Sequence, residues 1–187
     1  TAFAVADIEG VEISHKKFLT GVLLFSKKIK AYSPEQNVGL LLPSSGGGAI
    51  ASMAILLLGK TIVNFNFTAG KKALQSAAQQ AEVKHIYTSR KFLDKMQERG
   101  IDLKSYFPNS KLLMLEDIKE EISTLSRIGT LLIAALFPAS FIQKSYFKKV
   151  SMNDTAAILF SSGSEGSPKG VELSHANIAA NAKQAAI

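Results

Sequence analysis

One loop of this chain combines the residue types and spacing that suit phosphate binding. It is rich in glycine and serine, follows the apolar run 155–160, and reads Ser161-Ser162-Gly163-Ser164-Glu165-Gly166-Ser167-Pro168-Lys169-Gly170. Glycines let a loop bring successive backbone N–H groups close to an anion. Serine hydroxyls donate to phosphate oxygens, and a lysine adds a compact positive charge. We therefore predict phosphate binding here, with a plain Gly/Ser turn as the alternative.

The order of residues in this loop excludes an ordinary P-loop NTPase. That motif, G-x-x-x-x-G-K-[ST], would need a glycine directly before the lysine, where this chain has Pro168. The flanking segments favour a binding site over a plain turn, because Ala156–Phe160 reads as a buried strand and Val171–His175 alternates like a second one. Polar loops held by such elements commonly carry function.

Other candidate residues give weaker signals. The loop Pro43–Gly48 precedes a predicted helix but lacks the order G-x-G-x-x-G, so we interpret it as a helix start, with ligand contact as the alternative. For His175, capping or packing at a strand-to-helix turn is favoured over catalysis. His15 and His85 are interpreted as structural, and no metal site is predicted because no histidine has acids at ligand spacing. The sequence has no cysteine and no G-x-S-x-G elbow, which excludes thiol chemistry and gives a hydrolase triad no support.

Strand and helix patterns alternate along the chain, which predicts an α/β fold with a parallel sheet flanked by helices. The predicted strands are 38–42, 61–65, 85–88 and 111–115, and the predicted helices are 48–58, 71–81, 90–99 and 117–125.

Composition fits a globular protein, since 47% of the 187 residues are hydrophobic. The net charge of +7 is spread over mixed segments, without the aromatic-interleaved basic runs of nucleic-acid-binding sheets, so no nucleic-acid partner is predicted. The apolar stretches 49–59 and 128–142 fall short of the roughly 20 residues of a membrane span. For 128–142, packing on the core or another domain is favoured over lying on a membrane surface.

The phosphate loop also resembles a known signature. The run from Ala157 through SSGSEGSPKGVELSHANI is similar to the phosphate-binding motif of the adenylate-forming (AMP-binding) superfamily, [ST]-S-G-[ST]-[ST]-G-x-P-K-G. It departs from that motif at Glu165, where a hydroxyl residue is usual. The glutamate variant resembles the synthetase half of the bacterial bifunctional 2-acylglycerophosphoethanolamine acyltransferase/acyl-carrier-protein synthetases. Segments 37–43, 66–70, 87–95 and 115–117 look like further counterparts.

The resemblance implies a two-step acid–thiol ligase that uses ATP and Mg²⁺. A fatty acid is activated as acyl-adenylate and then passed to the phosphopantetheine thiol of acyl carrier protein, serving lysophospholipid reacylation. The residues that match the nucleotide-binding motif are Ser161, Ser162, Gly163, Ser164, Glu165, Gly166 and Lys169. Residues 1–187 are expected to form the N-terminal part of the adenylation domain, an incomplete subdomain. The family's lid domain and C-terminal catalytic lysine are expected outside this chain, so the fragment alone is predicted to be inactive.

Two other functions stay open: an acyl-CoA synthetase, in which coenzyme A is the acceptor, and a non-catalytic module that docks a carrier protein or a membrane. The resemblance implies a cytoplasmic location, with peripheral attachment to the cytoplasmic face of the bacterial inner membrane as an open possibility.

Overall fold

The computed structural model of the chain describes residues 3–6, 12–161 and 168–185. The strands of this part are β1 (Phe3–Ala6), β2 (Glu12–Ser14), β3 (Asn37–Leu40), β4 (Thr61–Asn64), β5 (His85–Thr88), β6 (Lys111–Met114), β7 (Thr155–Ser161) and β8 (Lys169–Ser174). The α-helices are α1 (His15–Tyr32), α2 (Gly46–Leu57), α3 (Lys71–Gln80), α4 (Arg90–Glu98), α5 (Leu115–Glu120), α6 (Thr124–Leu136), α7 (Ala139–Tyr146) and α8 (His175–Ala185). A short 3₁₀ helix covers Leu103–Tyr106.

Six strands form the main sheet, in the order β6-β5-β3-β4-β7-β8. All neighbours in it run parallel except β7 and β8, which form an antiparallel hairpin around the phosphate loop. Strands β1 and β2 pair separately as a small antiparallel ribbon. The α/β fold predicted from the sequence is therefore confirmed.

Alternating side chains of the strands enter two separate cores, one on each face of the sheet. In β5, Tyr87 packs in the core beneath α1 and α2, whereas Ile86 packs in the core beneath α3 and α4. Helices α5 and α7 each place one isoleucine, Ile118 and Ile142, in the first core. Both faces are thus covered, as continuous parallel sheets require.

Local signals set most element boundaries within a residue or two of the predictions. Helix α2 begins at Gly46, two residues before the predicted start, because the Ser45 hydroxyl accepts from the backbone N–H of Gly48. It is followed by Gly59, whose φ of +64° turns the chain toward β4. Ser89 caps α4 in the same way, accepting from Phe92 N at 3.0 Å.

Three sequence predictions needed correction. The helix predicted over 117–125 is two helices, because α5 ends at Glu120 and Ser123 caps the start of α6. The strand predicted over Val171–His175 begins earlier, at Lys169, and gives way to α8 at His175. Strand β7 is buried at Ala156 and Ala157 but exposed at Leu159, so it is only partly the buried strand predicted.

Helix α1 had no predicted counterpart. It buries Val22, Leu23 and Ile29 against α2 and the sheet, and the spacing of these residues was a helical signal present in the sequence.

Candidate functional site

The predicted phosphate loop connects the two strands of the β7–β8 hairpin. Ser161 is the last residue of β7 and is paired in register with Lys169, the first residue of β8. The Ser161 hydroxyl lies 3.5 Å from the main-chain oxygen of Lys169, and both residues are exposed. The predicted site residues Ser162, Gly163, Ser164, Glu165 and Gly166 lie outside the described residues.

The hairpin leaves the sheet at the carboxyl ends of the parallel strands. Strand β4 pairs with β7 up to Asn64 and Leu159, so Ser161 projects just beyond the end of β4. The chain enters α2 from β3 on one face of the sheet and α3 from β4 on the other. Strands β3 and β4 therefore flank a topological switch point, where open α/β sheets commonly bind ligands.

Two cavities open at this edge, one on each face of the sheet. The first has a volume of about 390 Å³ and is lined by Ser44, Ser45, Asn64 and Leu159 among others. The second, of about 400 Å³, is lined by Asn64, Asn66, Thr68, Phe160, Ser161 and Pro168 among others. Hydroxyl and amide groups on these walls can donate to phosphate or sugar oxygens. The second cavity thus brings Ser161, at the near end of the predicted loop, together with polar side chains of the β4–α3 connection, and Asn64 is shared with the first cavity.

Asn64 is a site residue that the sequence reasoning missed. It ends β4, is exposed, and lines both cavities. The available signal was a polar residue closing the apolar run Ile62–Val63, which marks the end of a buried strand. Two residues further on, Asn66 accepts hydrogen bonds from the backbone N–H and the hydroxyl of Thr68, which stabilises the loop that leads to α3.

The loop Pro43–Gly48 has the predicted helix-start role and also lines the first cavity. The Ser45 hydroxyl accepts from Gly48 N at 3.2 Å, which satisfies a backbone donor in the first turn of α2. A Cβ at Gly48 would lie 3.3 Å from the Pro43 carbonyl oxygen, so the glycine allows this close turn. Because Ser44 and Ser45 line the cavity, ligand contact by this loop stays a prediction.

The histidines lie away from this edge or have structural partners. His175 starts α8 at the opposite end of the hairpin, where its backbone N–H donates to Asp154 O. Strand β7 separates it from the loop by about 20 Å, at roughly 3.3 Å per residue. His85 Nδ1 lies 2.8 Å from Glu35 Oε1, near the amino ends of the strands. His175 therefore lies at the strand-to-helix turn, away from the loop, and His85 has Glu35 as a side-chain partner.

Over residues 3–6, 12–161 and 168–185 there is no group of three or more His, Cys, Asp or Glu residues that could bind an ion. Mg²⁺ commonly binds through one or two carboxylates together with substrate phosphates, and it retains several waters. The hydroxyl and amide groups that line the two cavities can donate to a phosphate ligand, and Mg²⁺ bound to such a ligand would not need a cluster of protein carboxylates.

Comparisons with known proteins identify the family of this chain. The model of the AMP-binding enzyme family matches residues 2–187. Nonribosomal peptide synthetase vlms of Lecanicillium sp is 28% identical over 146 residues, which are 78% of this chain and 1% of the synthetase. Nonribosomal peptide synthetase acrB of Aspergillus aculeatus is 52% identical over 46 residues, which are 25% of this chain and 3% of the synthetase.

Solved structures share the fold at low sequence identity. VinN in complex with 3-methylaspartate superposes with a TM-score of 0.69 at 16% identity, covering 99% of this chain and 47% of VinN. MatB from Rhodopseudomonas palustris gives 0.65 at 17% identity, covering 97% of this chain and 33% of MatB. The o-succinylbenzoate CoA synthetase MenE from Bacillus subtilis gives 0.68 at 16% identity, covering 94% and 31%. The chain spans less than half of each of these proteins, and the family match over nearly its whole length shows that it belongs to the AMP-binding enzyme family.

Proposed function

We propose that this chain is the N-terminal part of the adenylation domain of an ATP-dependent acid–thiol ligase that activates fatty acids. The observation that carries the proposal is the position of the β7–β8 hairpin. It places Ser161 and its partner Lys169 just beyond the carboxyl end of β4, where Ser161 lines the second cavity together with Asn64. Membership of the AMP-binding family supports ATP as the nucleotide.

In the proposed first step, a fatty acid carboxylate oxygen attacks the α-phosphate of ATP. The bond to the bridging oxygen breaks, and acyl-adenylate and pyrophosphate result. The loop Ser161 to Lys169 would hold the β- and γ-phosphates, and the lysine would offset negative charge that develops on the leaving pyrophosphate. Mg²⁺, when bound to the phosphates, supplies further charge neutralisation. Preorganised donors of this kind lower the barrier because they need no rearrangement during the reaction.

In the proposed second step, a thiol sulfur attacks the acyl carbonyl carbon, and AMP leaves. We propose the phosphopantetheine thiol of acyl carrier protein as the acceptor, with reacylation of lysophospholipids as the role. The support is the sequence S-G-S-E-G-S-P-K-G-V, which resembles the acyl-carrier-protein synthetase group at the glutamate. The proposal includes a cytoplasmic location, which fractionation of cells would test.

Fatty-acid-dependent exchange between ATP and pyrophosphate tests the first step. The full-length natural polypeptide and the 187-residue chain are assayed side by side, each with several fatty acids. Exchange by the full-length protein alone is expected, because the catalytic lysine is expected outside these residues. No exchange by the folded full-length protein with any fatty acid would refute the ligase and favour the non-catalytic docking module.

The acceptor is tested separately. Pre-formed acyl-adenylate is offered to acyl carrier protein and to coenzyme A at equal thiol concentration, and thioester formation is followed by mass spectrometry. Faster transfer to the carrier protein is expected. Faster transfer to coenzyme A would refute acyl carrier protein as the acceptor and favour an acyl-CoA synthetase. It would not contradict adenylate formation.

A further inference from the structure

Helix α6 presents most of its large apolar side chains away from the rest of the described chain. Leu125, Ile128, Leu132 and Leu136 lie on one side of the helix, because their spacing of three and four residues follows the helical period. These four side chains are between 52% and 81% exposed. The inner side of the helix contains Thr130, which is 2% exposed, and Ile133, which is partly buried against the first core. A surface helix of a soluble protein normally has the reverse orientation.

The exposed apolar surface continues onto α7. The rings of Phe137 and Phe141 stack with their centroids 4.7 Å apart, and each is nearly half exposed. Ile142 anchors α7 in the core. We call Leu125, Ile128, Leu132, Leu136, Phe137 and Phe141 together the α6–α7 surface. Contiguous exposed side chains of this size mark interaction sites.

Cations lie on both helices of the α6–α7 surface. Arg127 is on α6 and Lys144 is on α7, and both are exposed, whereas Glu120 and Glu121 lie at the end of α5, just before α6. A groove of about 790 Å³ lies between α6 and helices α1 and α5, and both Ile128 and Leu131 line it. Its described lining is mainly apolar but includes Lys17, Lys119 and Arg127, with no carboxylate among the lining residues. An occupant that combines apolar groups with negative charge therefore fits this groove.

We propose that the α6–α7 surface docks on a lipid bilayer that contains anionic phospholipids. Leucine, isoleucine and phenylalanine would enter the boundary between headgroups and acyl chains, while the flanking cations contact phosphates. None of the helices in the described residues has the length and hydropathy of a membrane span. An acidic protein partner fits less well, because the six side chains of the α6–α7 surface include no cation. The proposal depends on α6 and α7 and not on adenylate formation.

Co-sedimentation with vesicles tests the proposal on the full-length natural polypeptide. The probes are phosphatidylcholine vesicles with and without phosphatidylglycerol. Leu132→Ser and Leu136→Ser are each expected to weaken binding to the anionic vesicles by about tenfold, since each removes a large apolar side chain from the buried contact. Met152→Ser is the matched control, because Met152 is 55% exposed, as against 52% for Leu132, and lies outside the α6–α7 surface.

A charge variant tests the electrostatic part. Lys144→Gln removes an exposed cation of α7 and should weaken binding to anionic vesicles by about fivefold, with little effect on neutral vesicles. Raised salt should remove most of the difference.

Several results would overturn the proposal. Equal binding to neutral and anionic vesicles would do so, as would a loss in Met152→Ser equal to that in the leucine variants. Vesicle binding by Leu132→Ser at the level of the unmodified protein would show that this surface does not contact lipid. If the leucine variants instead lower Tm by several degrees, or separate a dimer into monomers, the surface is covered by protein.

Discussion

Replacing Lys169 with alanine tests the proposed phosphate binding with little expected effect on folding. Lys169 is exposed at the start of β8, and its main chain pairs with Ser161 whatever the side chain is. Its ammonium group makes no hydrogen bond or ion pair with another described residue. Lys169→Ala should therefore change the free energy of unfolding by no more than about 0.5 kcal/mol.

The expected loss of activity is much larger. A preorganised donor that contacts charge developing in a transition state contributes about 2.7–4 kcal/mol to catalysis, which corresponds to roughly 10²–10³ in rate. If the Lys169 ammonium contacts the leaving pyrophosphate, ATP–pyrophosphate exchange should fall by about that factor. If exchange falls by this factor while the free energy of unfolding is unchanged, unfolding of the variant cannot be the cause.

The assay is exchange by the full-length polypeptide, with urea unfolding measured on the same preparation. Lys95→Ala is the control, since Lys95 is equally exposed but lies on α4, away from the hairpin. The control should keep full exchange. Near-normal exchange in Lys169→Ala would refute the assignment of the loop, and a loss accompanied by unfolding would mean that the lysine acts on the fold.

Further substitutions test the loop and the core. Glu165→Thr restores the usual hydroxyl of the family motif and should slow exchange far less than Lys169→Ala; a severe loss would give the glutamate a role of its own. Tyr87→Phe removes a 2.9 Å bond to the buried Ser33 hydroxyl and should cost about 1–3 kcal/mol in urea unfolding at neutral pH. Burial raises the pKa of Tyr87 from 10.0 to about 12. As pH rises between these values, Tyr87 ionises in the unfolded chain before it ionises in the folded protein, so the free energy of unfolding falls by up to about 3 kcal/mol. Tyr87→Phe should lack this alkaline loss, and an unchanged pH dependence in the variant would contradict the burial argument. Gly39→Ala places a Cβ within 3.0 Å of three core side chains and should lower the free energy of unfolding by about 1–3 kcal/mol. In Gly129→Ala the added Cβ meets nothing within 4 Å, so this helix position should gain about 0.5–1 kcal/mol. Equal Tm values for the two variants would refute the packing argument.

Elements with strong local signals were predictable from the sequence. Strand β5 was predicted at its observed bounds, His85–Thr88. The end of the strand was clear because Ser89, a capping residue, and the helical pattern of α4 follow it directly. The break between α5 and α6 was less visible, since the acidic residues before Ser123 continue a helical composition. Asn64 was missed because its importance comes from two cavities whose other walls are distant in sequence.

The sequence by itself determined the alternation of strands and helices and the composition of the phosphate loop, because both depend on residues within a short window. Only the tertiary structure decided that Ser161, where the loop begins, lies at the switch point and shares a cavity with Asn64, since strand order depends on which distant segments pair. The direction of the α6 stripe was likewise undetermined, and the sequence argument favoured burial. An apolar helical face can pack on the core or turn outward, and packing against α1 through Thr130 leaves the leucines of α6 outside.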